Sequence, residues 1–105
     1  MLYENYLELF MKTIMNNNFK KIIHFSRLIK ISGRLREFNF RKNNNAGNYV
    51  FDADTADERG NRLFFRLNRD ENNEWELTSS QVLPEWITAH QEQIITELEE
   101  GVLNN

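Results

Sequence analysis

Between positions 61 and 69 the chain alternates with a period of two. Leu63, Phe65 and Leu67 fall on one side, and Arg62, Phe64, Arg66 and Asn68 on the other. That pattern predicts a β-strand with one buried and one wetter face. Turn-forming residues flank it, which predicts neighbours in an antiparallel meander. The same periodicity predicts further strands at about 28–41, 48–54 and 74–79. Tyr49, Phe51 and Ala53 point inward in one of them, and Trp75, Leu77 and Ser79 in another. In the strand at 28–41 the phase slips. Ile29, Ile31, Gly33 and Leu35 share a face, but the apolar signal then moves to Phe38 and Phe40. A β-bulge near Arg36 and Glu37 would return both sets to the core.

Two stretches carry helical spacing instead. Leu83, Trp86, Ile87, His90, Ile94, Ile95 and Leu98 form one stripe of a helix at about 84–100. Pro84 suits its first turn, and Gly101 reads as its C-cap. Glu97, Glu99 and Glu100 sit at the negative end of that helix, which predicts a Lys or Arg close by. Near the start, Tyr3, Tyr6, Leu7, Phe10, Met11, Ile14 and Met15 make an amphipathic stripe. This predicts an N-terminal helix or arm within 1–25, leaving 26–105 as a single α+β domain. The expected architecture has two layers: a four-stranded antiparallel meander packed on the C-terminal helix, with the N-terminal amphipathic helix in addition.

A simple meander also assigns the open face. Pairing Asp54 with Arg62, and Arg66 with Glu76, brings the apolar partners together in both hairpins. The open face then carries Arg34 and Arg36, Asp52 and Asp54, Arg62 and Arg66, Glu74 and Glu76 in successive rows. Neighbouring rows of opposite sign stabilise one another. Phe64 stands among the arginines on the wet side.

Charge changes this picture in one respect. The net charge is −3, but all 13 Lys and Arg lie at or before Arg69. Residues 1–69 hold 7 acids and so carry +6, while residues 70–105 hold 9 acids and no base, −9. An acidic helix packed back on a basic sheet would neutralise both. The alternative is a charged surface for a partner of opposite sign.

Composition mainly excludes. There is no cysteine, hence no disulfide or thiolate chemistry. No apolar run approaches the length of a membrane span, and the start lacks the pattern of a secretory signal, so the cytoplasm is the expected location and no membrane is implied. Residues 52–58 are acid-rich, but Ala56 and Asp57 stand where a calcium loop needs an oxygen ligand and a glycine, and Leu63 where it needs the final Glu. His90 and Glu92 begin a zinc-deaminase pattern that no cysteine completes. No cofactor or metal is implied, and no spacing identifies a catalytic residue.

The order of four strands and a helix across residues 28–100, with Arg and Phe on the open face, resembles the single-stranded nucleic-acid-binding units of the Whirly and Pur type. The resemblance implies a dimer gripping a strand through Arg34, Arg36, Arg62, Phe64 and Arg66. The acidic rows and negative net charge oppose phosphate binding. The sequence therefore points first to a non-enzymatic interaction module that self-associates as a homodimer or binds a protein partner. Single-stranded nucleic-acid binding is the alternative. A second alternative is a small-ligand or enzymatic pocket between sheet and C-terminal helix, lined by Tyr49, Trp86 and His90.

Overall fold

The computed structural model describes residues 22–45 and 49–104. Five strands follow one another: β1 (His24–Ile31), β2 (Arg34–Lys42), β3 (Val50–Ala56), β4 (Arg62–Arg69) and β5 (Trp75–Thr78). Each pairs antiparallel with the next, so order in the sheet is order in the chain. One helical turn, α1 (Glu85–Thr88), and a longer helix, α2 (Gln91–Leu103), follow. This is a small α+β domain. The N-terminal helix expected within residues 2–15 lies outside the described residues. The expected boundary between positions 25 and 26 falls inside β1, and Ile23 is already part of the core.

The strand expected at 28–41 is a hairpin. Ser32 and Gly33 both take positive φ, 52° and 82°, the combination that reverses a chain in two residues with the right twist. Ile31 then pairs with Arg34, and Ile29 with Arg36. The turn, not a bulge, explains the slipped phase. Ile29, Ile31, Phe38 and Phe40 all reach the core, while Leu35 is turned out to solvent.

The next two hairpins share one wiring. The Asp57 amide donates to the Asn61 carbonyl, and the Gly60 amide donates back to the Asp57 carbonyl, each at 3.0 Å. The Asp57 side chain accepts from the amides of Arg59 and Asn61. Asp70 repeats every element of this with Asn72, Asn73 and Glu74. Gly60 and Asn73 supply the positive φ that each loop needs. These loops set the registers, with Asp52 opposite Arg66 and Leu67 opposite Leu77. The registers expected from side-chain matching are each two residues off. Because the slip is even, every side chain of β3 and β4 keeps its expected face.

The helices cover one face of the sheet. Phe38, Phe40, Phe51, Ile29, Ile31 and Leu67 meet Ile87, Ile94, Leu98 and Val102, all with almost no exposure. Each such side chain contributes roughly 1.5–3 kcal/mol on burial. The single helix expected at 84–100 is interrupted: His90, at φ −121° and ψ 29°, leaves helical geometry before α2 begins. Gly101 is not the cap. It lies inside α2, where a Cβ would collide with the Phe25 ring.

The acidic helix meets basic partners from the sheet. Arg27 Nη2 lies 2.8 Å from Glu97 Oε1. Arg69 and Glu99 are buried together at the far end of the sheet. The Trp75 indole N–H donates to Glu99 at 3.2 Å, and the Arg69 guanidinium faces the Trp75 ring. Burial raises the Glu99 carboxyl above its usual value, against the opposing pull of Trp75 and Arg69. Burial likewise lowers Arg69, with Glu99 opposing.

Candidate interaction face

The side of the sheet away from the helices is built from alternate residues of each strand. Side chains at paired positions share a face, so rows can be followed across the strands. One row runs Ser26, Asn39, Asp54, Phe64; the next runs His24, Arg41, Asp52, Arg66, Thr78. The rows are stitched together by hydrogen bonds. Ser26 donates to Asn39, Asn39 Nδ2 donates to Asp54 Oδ1 at 3.0 Å, and Arg62 pairs with the same carboxylate. Arg66 Nε donates to Asp52 Oδ1 and Asn43 Nδ2 to Oδ2, both at 2.9 Å. Burial pushes the Asp54 carboxyl up, but the Asn39 and Arg62 bonds together outweigh it and hold it below the usual carboxylate range. Arg62 and Arg66 therefore arrive at the surface already neutralised.

Phe64 is the exception to this polar lattice. Its side chain is 57% exposed, with Asp54 beside it across the strand pair and Arg62 and Arg66 on either side along its own. It forms part of the floor of an open groove of about 620 Å³, bordered by Arg41, Asp52, Arg66, Thr78 and Ser79. Toward the β1–β2 turn, Leu28 and Leu35 add further exposed apolar surface on the same side.

β5 leaves β4 at Thr78, and side chains take over the next hydrogen bonds along that edge. The Phe64 amide donates to Gln81 Oε1 at 2.6 Å, and Gln81 Nε2 donates to the Arg62 carbonyl at 3.3 Å. The Ser79 hydroxyl donates to the Phe64 carbonyl and accepts from the Gln81 amide. The Gln81 amide thus stands in for a peptide group of a strand that has ended.

Of the five residues expected on the open face, the structure brings Arg62, Phe64 and Arg66 together there. Arg34 and Arg36 belong to the helix-covered side. The two-residue turn reverses the frame of β2, so its open-face positions are Leu35, Glu37, Asn39 and Arg41. Arg36 lies flat on Trp86, 3.6 Å from the ring centre, and its side chain is only 9% exposed. Arg36 and Arg34 reach Glu58 at 2.7 and 3.2 Å and hold its carboxyl below the usual range, Arg36 most strongly. They tie the β3–β4 loop to the turn of the first hairpin.

Tyr49, Trp86 and His90 do not converge on one cavity. Trp86 is filled in by Arg36 and Phe38. His90 Nδ1 lies 3.0 Å from the Trp86 carbonyl at the break between α1 and α2. Tyr49 lies at the other end of the sheet, its carbonyl bonded to the Arg69 amide. Arg41 and Gln81 are the open-face residues that sequence patterning passes over. Alternation with the inward Phe38 and Phe40 carried the signal for Arg41; nothing local signals Gln81. No family model, curated protein or solved structure matches the chain. The Whirly- and Pur-like order of four strands and a helix becomes five strands and two helical segments here. Among the described residues, no helix is long and apolar enough to cross a membrane.

Proposed function

We propose that this protein is a non-enzymatic interaction module whose contact surface is the open sheet face and whose partner is protein. The observation that carries the reading is Phe64: a large ring, more than half exposed, in a groove whose flanking arginines are paired to carboxylates. Aromatic and arginine side chains with little net charge are the composition of a protein–protein contact. A polyanion would need Arg62 and Arg66 free, and Asp54 and Asp52 compete for both. Single-stranded nucleic acid remains the second reading, because Arg62, Phe64 and Arg66 alternate along one open strand.

A photo-activatable phenylalanine analogue tests both readings. Placed at Phe64, it is expected to give protein adducts in cells. Placed at Val82, which is more exposed still but off the sheet, it is expected to give none. Adducts at both sites alike, or with nucleic acid alone at Phe64, would overturn the proposal.

A further inference from the structure

We infer that the occupant of the open face is a second copy of this chain, seated face to face about a two-fold axis along the row Ser26, Asn39, Asp54, Phe64. The inference rests on the reading of that face as a protein contact and names the partner. Charge complementarity carries it. Arg62 and Arg66 are neutralised within the chain, but Arg41 and Glu37 are exposed on the open side of β2. Neither makes an ion pair or side-chain hydrogen bond among the described residues, though Arg41 lies across from Asp52 and its charge acts on Asp54 at longer range. They lie four residues apart, about 13 Å along a strand, with Asn39 midway between them. A two-fold through Asn39 across the strands exchanges their positions. Each Arg41 then faces Glu37 of the other copy, twice per dimer.

The same axis passes Phe64, because Asn39 and Phe64 both pair with Asp54. The two exposed rings therefore meet at the axis, where an aromatic pair adds about 0.5–1.5 kcal/mol beyond the area it buries. Arg66 comes opposite Arg62 of the second copy, each with its own aspartate. The strands of the two sheets stay aligned, as in ordinary sheet-on-sheet packing. Under this axis β1 to β4 overlap their counterparts over about five to seven residues each, which at about 4.8 Å between strands and about 3.3 Å per residue gives a flat area near 350 Å². Even with its corrugation that is below the ~800 Å² per partner of a standard interface, which makes this a weak, reversible contact. Such a contact is isologous, so it closes at two copies.

Sedimentation of the full chain tests this. The expected mass approaches twice 12.6 kDa at high concentration. Phe64→Asp should give a monomer with an unchanged far-ultraviolet spectrum. Arg41→Glu and Glu37→Arg should each weaken the dimer about tenfold or more. An equimolar mixture of those two single variants should recover it, since opposite charges then meet at both contacts. A wild-type monomer at high concentration, a dimer indifferent to Phe64→Asp, or a mixture no tighter than its components each overturns the second copy as occupant. If the chain is monomeric yet Phe64 forms adducts with a different protein, the interaction face stands and the homodimer falls.

Discussion

Gly101 shows how far a single residue can depart from its local expectation. In the interior of an exposed helix, alanine is better than glycine by about 1 kcal/mol. Here the Phe25 ring lies where the methyl group would go, so the sign reverses. Overpacking of this kind costs about 1–3 kcal/mol, which set against that gain leaves Gly101→Ala destabilised by up to about 2 kcal/mol. Urea unfolding should show that loss, and Phe25→Leu combined with it should recover part. A more stable Gly101→Ala would mean the ring does not pack there. Phe25 and Gly101 are far apart in sequence, and the approach of a strand residue to a helix residue leaves no trace in either one's neighbourhood. Glu97 is different. Three glutamates at a helix C-terminus predict a basic partner, and Arg27 supplies it.

At the scale of the element, period-two patterning identifies which residues of β3, β4 and β5 face the core, but turn chemistry decides what pairs with what. The two Asp-anchored loops hold their registers through backbone bonds that side-chain matching cannot see. The first hairpin is harder to read, because Ile29, Ile31, Gly33 and Leu35 continue an alternating frame straight through a reversal. That error moved Arg34 and Arg36 to the wrong side, while Arg41, outward in either frame, was passed over, so the candidate face was half legible. Asparagine is the favoured first residue of a two-residue turn with both φ positive. Ser32→Asn should therefore raise stability by roughly 0.5 kcal/mol, whereas Gly33→Ala should cost about 1–2 kcal/mol by imposing left-handed backbone on a residue with a Cβ. Thermal unfolding should move in opposite directions for the two variants; movement in the same direction would count against this turn.

For the whole molecule, the charge asymmetry becomes a pattern of linked titrations. Asp54, Asp57 and Glu58 all sit below their usual values: Asp54 through Asn39 and Arg62 against burial, Asp57 chiefly through the Asn61 amide, and Glu58 chiefly through Arg36. The folded state binds their protons less tightly than the unfolded state. The stability they lend is complete above about pH 4 and is lost as pH falls through their depressed values. Glu99 has the opposite sign. Its raised value makes ionisation in the folded state costly, so stability falls as pH rises from the ordinary carboxylate value to the raised one. Urea titrations across this range should find a shallower acid limb in Asp54→Asn. In Glu99→Gln the acid limb should remain and the decline above it should vanish. The shape of the profile is the readout, because removing the Glu99 charge also leaves Arg69 without its opposing carboxylate, which lowers the curve as a whole. An unchanged shape in both variants would show that these groups do not titrate differently on folding.

The meander joins each strand to the one before it, so the sheet can zip up from short loop closures alone. The contacts of α2 with β1 are of another kind: Gln93 holds the Lys30 carbonyl and Glu97 holds Arg27, across 63 and 70 residues of chain. Bridging that distance carries the largest ring-closure entropy among these pairings, and contacts of that span are the late ones in folding. On the ribosome, this means that strands can pair as they emerge, while the greasy underside of the first strand waits for its lid until residue 103 has cleared the exit tunnel.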